Sequence, residues 1–493
     1  MPSRRYLTAS LLALIALLAA GCGSKSSTPS AGGGSTPEGA SMVSAGVVAF
    51  VSIDSDLGSS QWQQLDTLAQ KFPGRDQAVA MLNQQLTKQG VDYAKDVKPA
   101  LGPEVDWAFE SGGTSSSTKA VGLTKPADPA KFKALVAKLN ASSSTGRKVV
   151  YQDVGGWYAL SDSQSAITDV LKGDRPALAD DSTYKEALGK LPGDALVKAF
   201  VDGQRVKSLV TQAASASGTG FDTSSLGLDS LKYVATSVSA EDAGVRIRGA
   251  SSGGLGGNGD FSSKLEGGVP GDAFAFLDFS GKSTGDQLNK LKSNPTLGAG
   301  LAQMEKQLGV TLDQLVSLLS GEIAFYARPG AGIPEFTLVL QESDQSAALA
   351  TLDKLTTHLA QATGGHVETS TQGGRTVKTI NLGQFAIHYA GIGDKLLLTS
   401  GVSGISDYGS GDHLPDSADF KEAQSAAGMP SSTAGFMYVD LKNALPLIEG
   451  FASLSGQNLP SNVTENLRPL RSFLAWSQGS ASARSFDAFV EIK

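Results

Sequence analysis

The sequence predicts an α+β protein made of two tandem homologous modules, each a mainly antiparallel sheet packed with helices. Three observations favour this class. An apolar strand that carries an acid near its end recurs, as "GDALVKAFVDG" at 193–203 and "GDAFAFLDFSG" at 271–281. Short segments of the first half return in the same order in the second half. Strands are joined mostly by short turns, with helices inserted between groups of strands, which is typical of α+β folds.

Matched segments carry the internal repeat. "LGPEV" at 101–105 matches "LSGEI" at 319–323, and "TYKEA" at 183–187 matches "DFKEA" at 419–423. Self-similarity in a constant order indicates duplicated structural units. The spacing between partners grows along the chain, so the second copy contains additional residues. Apolar stretches at 385–390 and 395–399, split by "GIGD", predict a hairpin there and hence one extra strand.

The elements of the first module are predicted from apolar periodicity and from the residues that begin helices and form turns. Alternation predicts a strand at 50–53, and apolar residues at helical spacing predict helices within 61–72 and 77–90. The remaining expected elements are, in order, a hairpin around a Gly/Ser loop at 112–117, a helix at 128–141 that starts with Asp128 and Pro129, strands within 147–154 and 157–161, a capping box at Thr183 and Glu186, a strand at 196–201, a helix at 206–213 and a closing hairpin at 231–248.

An acid recurs where these strands end. Asp202 and Asp440 stand between a strand and a helix, and Asp54 and Asp278 stand at similar joins near the start of each module. An Asp at the N-cap of a helix accepts hydrogen bonds from free backbone N–H groups and contributes about 1 kcal/mol. The sequence therefore predicts four strand-to-helix joins rather than four catalytic acids.

The amino-terminal residues predict export and a lipid anchor. Arg4 and Arg5 precede an apolar run at 11–20, and together residues 1–21 have the layout of a secretory signal. "AAGC" at 19–22 resembles the lipobox of bacterial lipoproteins, in which the cysteine receives a diacylglycerol and becomes the new amino terminus. This resemblance makes Cys22 the predicted lipidation site. "SRRYL" partly resembles a twin-arginine signal, so the general secretory and twin-arginine routes both stay open.

Composition divides the mature chain into four segments. Residues 22–44 form a Ser/Gly/Pro-rich tether, 45–249 the first module, 250–268 a Gly/Ser-rich linker and 269–493 the second module. The linker contains Gly254-x-Gly256-x-x-Gly259, a formal dinucleotide-binding pattern. No βαβ unit surrounds this pattern, so it predicts a linker and no cofactor.

Charge and cysteine content exclude several classes of partner. Removal of the two signal arginines lowers the formal net charge by two, from −7 to −9, and 18% of all residues are charged. Nucleic-acid-binding proteins carry basic patches, so no nucleic acid is expected. Attachment to the membrane is expected through the anchor and not through a basic surface. One cysteine permits no intramolecular disulfide and no cysteine-based zinc or redox site.

The titratable residues form no recognisable reaction centre. The four histidines lie in the second copy without the spacing that presents metal ligands together, so no metal site is expected; they are His358, His366, His388 and His413. "GVSGI" at 401–405 comes nearest to a hydrolase elbow but lacks its second glycine spacing. The sequence therefore predicts no enzyme, no catalytic residue and no cofactor.

Two matched glutamates leave an alternative open. Glu104 and Glu322 occupy equivalent places before apolar strands. They would suit a paired carboxylate site with one residue from each copy, since acid–base chemistry uses two such groups with separated pKa values. A solvated residue at the start of each strand is the favoured interpretation, because duplication copies scaffold positions as readily as functional ones.

Several features together resemble one known family. The lipobox, the tether, "LGPEVDWAF" at 101–109, the Gly-Arg strand pair and the "FKEA…FMYVD" join are similar to a bacterial extracytoplasmic lipoprotein family catalogued as a domain of unknown function (number 3352). The resemblance implies a membrane-anchored extracytoplasmic protein, and it implies no reaction, cofactor or catalytic residue.

Three hypotheses about function follow. The first is a non-enzymatic binding or scaffold protein of the cell envelope, with an envelope protein as partner. The second is a carrier of an apolar ligand such as a lipid, because amphipathic helices over a curved sheet can enclose an apolar cavity. The third is an enzyme whose site has no recognisable motif. Loops at 112–117 and 329–333 are candidate binding tips in each case.

Overall fold

Two compact units make up the described part of the chain. The computed structural model describes residues 36–111, 118–143, 148–216, 228–253, 259–282, 295–330, 333–382, 385–454, 456, 459–480 and 482–493. Within these ranges, unit 1 takes in the residues up to 253 together with 492–493, and unit 2 runs from 259 to 491. Each unit combines an antiparallel sheet with helices, which confirms the predicted α+β class with tandem modules.

The sheet of unit 1 has eight strands within the described residues. They are β1 (Ala49–Asp54), β2 (Glu104–Glu110), β3 (Lys119–Thr124), β4 (Val150–Val154), β5 (Trp157–Ser161), β6 (Val197–Asp202), β7 (Tyr233–Glu241) and β8 (Gly244–Ser252). All pairings are antiparallel, in the order β4-β5-β3-β2-β1-β6-β7-β8. The first strand of the unit thus lies in the middle of its sheet.

Helices connect the strands of unit 1. They are α1 (Ser60–Ala69), α2 (Arg75–Lys88), α3 (Pro129–Ser142), α4 (Gln164–Val170), α5 (Ser182–Leu188) and α6 (Gly203–Ala216), with short 3-10 turns at Glu38–Ser41, Lys98–Ala100 and Leu178–Asp180 and a π-helical turn at Tyr93–Val97. Asp128 caps α3 by accepting from the N–H groups of Ala130 and Lys131, and Pro129 opens the helix, as the sequence predicts.

Unit 2 repeats this plan with more strands. Its strands are β9 (Ala275–Ser280), β10 (Glu322–Arg328), β11 (Glu335–Gln341), β12 (Val367–Gln372), β13 (Arg375–Leu382), β14 (Phe385–Ile392), β15 (Lys395–Thr399), β16 (Gly435–Asp440), β17 (Leu470–Gly479) and β18 (Ala483–Ile492). Its helices are α7 (Pro295–Leu308), α8 (Leu312–Leu318), α9 (Gln345–Thr363), α10 (Ser403–Asp407), α11 (Ala418–Ala427), α12 (Leu441–Leu454) and α13 (Ser461–Leu467), with 3-10 turns at Glu266–Gly268 and Leu414–Asp416.

Strand order identifies the inserted part of unit 2. The antiparallel order is β12-β13-β14-β15-β11-β10-β9-β16-β17, so β14 and β15 take the places of β4 and β5. The hairpin predicted at β14–β15 is confirmed. The expectation of one extra strand is wrong, because both β12 and β13 are additional to the plan of unit 1 among the described residues.

The core of each unit lies against both faces of its sheet. In unit 1, Trp157 and Ala159 of β5 belong to a cluster that includes α4 and α5, whereas Tyr158 between them packs with α2 and α3. Side chains alternate between the faces of a strand, so one short strand serves two clusters. In unit 2, Ile323, Leu340 and Leu396 of neighbouring strands form a cluster with α8 and α9.

Described residues within two stretches assigned to spacers belong to the folded units instead. Ala40 and Val43 fall within the predicted tether at 22–44, yet both are fully buried in the core of unit 1. Leu265 falls within the predicted linker at 250–268 and is fully buried in unit 2. Small and polar residues dominate the composition of both stretches, and Ala40, Val43 and Leu265 are apolar residues within them that are buried.

Other sequence-based expectations lie outside the described residues. These include the signal at 1–21, the lipidation site Cys22, the loop at 112–117, and Gly254 and Gly256 of the glycine pattern. Among the residues that are described, no helix is both long enough and apolar enough to cross a membrane.

Candidate functional site

Glu104 and Glu322 each hold the segment that enters their own unit. Glu104 opens β2, and its carboxylate accepts hydrogen bonds from the N–H groups of Glu38 at 3.2 Å and Gly39 at 2.9 Å. Backbone N–H groups that converge on a carboxylate give charge-assisted bonds, which are stronger than neutral ones. The carboxylate therefore fixes the entry segment of unit 1 to the middle of the sheet.

Glu322 makes the same arrangement in unit 2 with one bond more. Its Oε1 accepts from the N–H groups of Lys264 at 2.8 Å and Leu265 at 3.0 Å and from the hydroxyl of Ser263 at 3.1 Å. Glu322 is buried, so the interpretation of this position as a solvated strand entry is wrong. We call these two arrangements the carboxylate clasps.

A second, fully buried acid accompanies each clasp. Asp106 lies two residues after Glu104 on β2, and Asp278 lies on β9, the neighbour of Glu322's strand. Each glutamate thus has an acidic neighbour inside its own unit.

The strand register shows that the buried acid has changed strands between the copies. Asp106 of β2 stands opposite Ser52 of β1. At the equivalent position of unit 2, Asp278 of β9 stands opposite Ala324 of β10. The acid therefore belongs to the same cross-strand pair in both units. It lies on β2 in unit 1 and on β9, the counterpart of β1, in unit 2.

Burial dominates the electrostatics of both acids. It raises the pKa of Asp106 well above its ordinary value, and the neighbouring Glu104 adds to this effect. Burial likewise raises the pKa of Asp278 to about 8, with the Ser263 hydroxyl opposing and Glu322 and Glu266 adding to the rise. Among the described residues, no group forms a hydrogen bond with the carboxyl oxygens of Asp106 or Asp278. The neighbouring glutamates and Ser263 are nevertheless close enough to affect the two pKa values. Burial therefore favours the protonated form of both acids.

The space around each acid differs between the copies. A Cβ placed on Gly39 would lie 1.8 Å from Oδ2 of Asp106, so only glycine permits this approach. The residue with the equivalent backbone bond in unit 2 is Leu265, and Ala324 there replaces the Asp. In unit 2 the large Leu265 on the entry segment accompanies the small Ala324 on the strand. In unit 1 the small Gly39 on the entry segment accompanies the larger Asp106 on the strand.

The structure sorts the four recurring aspartates into three kinds. Asp202 and Asp440 are helix N-caps as predicted, since Asp202 accepts from the N–H groups of Gln204 and Arg205 and Asp440 accepts from Asn443. Asp54 binds the Ser59 hydroxyl, and Ser59 is the residue that caps α1. Asp278 caps nothing, because β9 continues past it to Ser280. For Asp278 the prediction of a strand-to-helix join is wrong.

The predicted capping box at Thr183 and Glu186 is also wrong. Helix α5 begins at Ser182 with Asp181 as its N-cap, and the Asp181 carboxylate accepts from the N–H of Tyr184. Glu186 instead accepts a hydrogen bond from the Tyr233 hydroxyl at 3.3 Å. The box pattern was displaced because an Asp stands two residues before the Thr, and Asp is the better cap.

The serine of "GVSGI" and His388 each have a polar partner. Ser403 Oγ donates to Glu335 at 2.6 Å and so has a carboxylate partner rather than a histidine. His388 Nδ1 contacts the Thr379 hydroxyl at 2.9 Å, and burial lowers the pKa of His388. Within the described residues, no group of three or more His, Cys, Asp or Glu side chains is placed to hold a metal ion.

An exposed apolar surface crosses the sheet of unit 2. Phe325 pairs with Leu277, Leu277 pairs with Met437, and Met437 pairs with Ala475, so these four side chains form one row across β10, β9, β16 and β17. Phe336 stacks on Phe325 with ring centres 6.0 Å apart. We call these five residues together with Phe486 of β18 the apolar strip. Exposed fractions are 37% for Phe325, 45% for Phe336, 36% for Met437 and 38% for Phe486, so these four side chains are exposed.

A groove lies along one end of the apolar strip. It has a volume of about 410 Å³ and runs over β9, β16, β17 and β18. Leu277, Met437, Ala475 and Phe486 of the strip line it, together with Arg484. Ligand-binding pockets in proteins typically have volumes of about 300–1,000 Å³ and mostly apolar walls with a few polar groups. Sequence reasoning missed this site, and the only signal for it is the apolar character of outward positions in β9, β16 and β17.

Comparison with protein families identifies a family whose model matches almost the whole chain. The model of the family described as "Protein of unknown function (DUF3352)" matches residues 6–156 and 159–492. The chain belongs to the DUF3352 family. In this DUF3352 protein, the matched residues include both carboxylate clasps, both buried acids and the groove.

Other comparisons add distant likenesses only. No curated protein matches this DUF3352 chain significantly. Seven chains of solved structures do match. A structure described as crystal form IV of TP0453 is 12% identical with a TM-score of 0.23, covering 44% of this chain and 76% of that chain. Crystal form III of TP0453 is 12% identical with a TM-score of 0.24, covering 46% of this chain and 80% of that chain.

Proposed function

We propose that this DUF3352 protein is a non-enzymatic binding protein of the bacterial cell envelope, anchored at the extracytoplasmic face of the membrane by lipidated Cys22. The observation that carries the binding role is the apolar strip of unit 2. Contiguous exposed apolar patches mark sites where proteins contact a partner, a membrane or a ligand. The lipobox at 19–22 supports the anchor.

The carboxylate clasps indicate that the acids with raised pKa values, Asp106 and Asp278, stabilise the fold. Glu104 and Glu322 accept hydrogen bonds from backbone and hydroxyl groups of their own units, and Asp106 and Asp278 are fully buried beside them. Perturbed carboxyl groups in an open cleft indicate catalysis, but those in a packed interior hold the fold. This favours a role in binding over a role in catalysis.

Two experiments in cells test this function. A Cys22→Ala variant should leave the membrane fraction once its signal is cleaved, and retention of the processed variant in the membrane would contradict the anchor.

Crosslinking in intact cells followed by mass spectrometry should capture one reproducible envelope partner on peptides of unit 2. Loss of that crosslink in Met437→Lys, with the expression level unchanged, would place the partner on the apolar strip, and an unchanged crosslink would contradict this placement.

A second candidate function is a carrier of an apolar ligand. The groove favours it, because its volume and its apolar walls suit a hydrocarbon chain. Native mass spectrometry of the gently purified protein tests it. A co-purifying lipid is expected, and a spectrum of the bare polypeptide alone would contradict it.

A further inference from the structure

We propose that the groove of unit 2 binds an anionic amphiphile, which is an acyl chain that carries a carboxylate or phosphate head, with the chain on the apolar strip and the head at Arg484. This assignment deepens the proposed binding role and rests on it. It names both the class of ligand and the residues that recognise it.

The dimensions of the apolar strip fit a single acyl chain. The row that runs from Phe325 of β10 through Leu277 and Met437 to Ala475 crosses four strands. Neighbouring strands lie about 4.8 Å apart, so the row is roughly 14 Å long. Half of the hydrocarbon core of a bilayer, which is the depth that one acyl chain spans, is about 15 Å. An extended acyl chain can therefore lie along this row.

Arg484 supplies the charge complementarity at the end of the groove. It lies in β18 and is half-buried, and in the described part of the chain it has no ion pair. Alternation along β18 places Arg484 on the same face as Phe486 and Ala488, and it places the side chain of Asp487, which also borders the groove, on the other face. The guanidinium carries a fork of donors that matches a carboxylate or a phosphate. A head group of either kind would pair with it beside the apolar wall.

Unit 1 provides an internal comparison, because the corresponding face there is covered. Helix α1 lies on β7, which takes the place of β17 in the strand order. The amide of Gln61 exchanges two hydrogen bonds with the backbone of Ala240, and Gln64 donates to the carbonyl of Glu241. Helix α1 of unit 1 thus covers the strand that corresponds to β17, whereas Ala475 of β17 lines the groove among the described residues of unit 2.

Displacement of a fluorescent fatty acid tests the assignment. The delipidated full chain is loaded with cis-parinaric acid, and unlabelled oleate, lysophosphatidic acid and oleyl alcohol compete with it. We expect the anionic competitors to bind about tenfold or more tightly than the alcohol, because a charge-assisted pair with Arg484 forms only with them. Preference for oleate would identify a free fatty acid as the source of the ligand, and preference for lysophosphatidic acid a phospholipid.

Matched variants separate the contribution of the head from that of the chain. Arg484→Gln should bring the affinity for the anionic competitors down to that for the alcohol, whereas Arg468→Gln, at an exposed arginine outside the groove lining, should change nothing. Ala475→Phe should fill the groove and weaken all three competitors at least tenfold, and Met437→Lys serves if that variant does not fold.

Three results would overturn the assignment. They are no binding of any competitor, equal affinities for the alcohol and the anions, and full binding in a folded Ala475→Phe or Met437→Lys variant. If binding fails while the envelope crosslink of unit 2 persists, the ligand assignment is wrong and the proposed envelope role stands.

Discussion

A buried acid can move between neighbouring strands without leaving its site. Asp106 and Asp278 occupy the two sides of one cross-strand pair, with Ser52 and Ala324 as their partners. Directly opposed residues have Cβ atoms about 4.5–5.5 Å apart, so either side can place a carboxyl group beside the same glutamate. Both copies therefore keep a buried acid next to the carboxylate clasp, although no aligned sequence position carries it.

Titration of Asp278 should make unit 2 less stable as the pH rises. Its folded pKa of about 8 lies above the ordinary value of 3.8, so the folded state binds the proton more tightly than the unfolded state. The stabilisation is complete below about pH 4 and is lost as the pH rises toward 8. We expect the free energy of unfolding of unit 2, measured by urea denaturation, to fall by a few kcal/mol across this window.

Asp278→Asn should remove this pH dependence and increase stability at pH 8, since the amide cannot ionise. Asp412→Asn is the control, because Asp412 is exposed. A wild-type stability that rises between pH 5 and 8, with Asp278→Asn following the same curve, would contradict a protonated Asp278.

Gly39 should be irreplaceable while Asp106 is present. The Cβ of Gly39→Ala would meet the carboxyl group of Asp106, and overpacking of this kind costs about 1–3 kcal/mol. Thermal unfolding should show the loss, and Gly39→Ala combined with Asp106→Ala should recover a large part of it. Gly267→Ala is the matched control, because no atom lies within 4 Å of its Cβ. Equal losses in the single and double variants would contradict steric conflict as the cause.

Elements with strong local signals were predictable, and elements defined by long-range pairing were less so. Helix α3 begins where Asp128 and Pro129 indicate, and the β14–β15 hairpin lies where "GIGD" indicates. The polar strand β12, "VETSTQ", was missed because its side chains are mostly exposed and show no apolar alternation. Its existence depends on pairing with β13, which local sequence does not report.

Asp202 should contribute to α6 chiefly as an N-cap. Its Oδ1 accepts from two N–H groups of the first turn, at 2.9 Å from Gln204 and 3.0 Å from Arg205. Asp202→Ala should lower the free energy of unfolding by about 1 kcal/mol, and Asp202→Asn should lose much less because Asn is an equally good cap. Urea denaturation measures both. Equal losses for Ala and Asn would indicate that the ion pair with Arg205, and not the cap, is what stabilises this join.

The duplication was visible in the sequence, whereas the limits of the units were not. Matched segments and their order were enough to predict two homologous modules. Composition alone assigned 22–44 and 250–268 to spacers, yet a few residues within them complete the cores. Glu104 and Glu322 hold these entry segments from positions far along the chain, so contacts between residues distant in sequence decide where each unit begins. The groove also escaped prediction, since it depends on which part of a sheet face a helix covers.

Each carboxylate clasp should stabilise its own unit and leave the other unchanged. Glu322→Ala removes the acceptor for Ser263, Lys264 and Leu265, all of which belong to unit 2. Buried donors left without a partner cost about 1–3 kcal/mol each, while the loss of repulsion on Asp278 offsets part of this. Hydrogen exchange followed by mass spectrometry should show at least tenfold faster exchange in β9 and β10, with the protection of β1 and β2 unchanged. Glu104→Ala is the matched variant and should give the reverse pattern. Loss of protection in both units from either single substitution would contradict clasps that act within one unit.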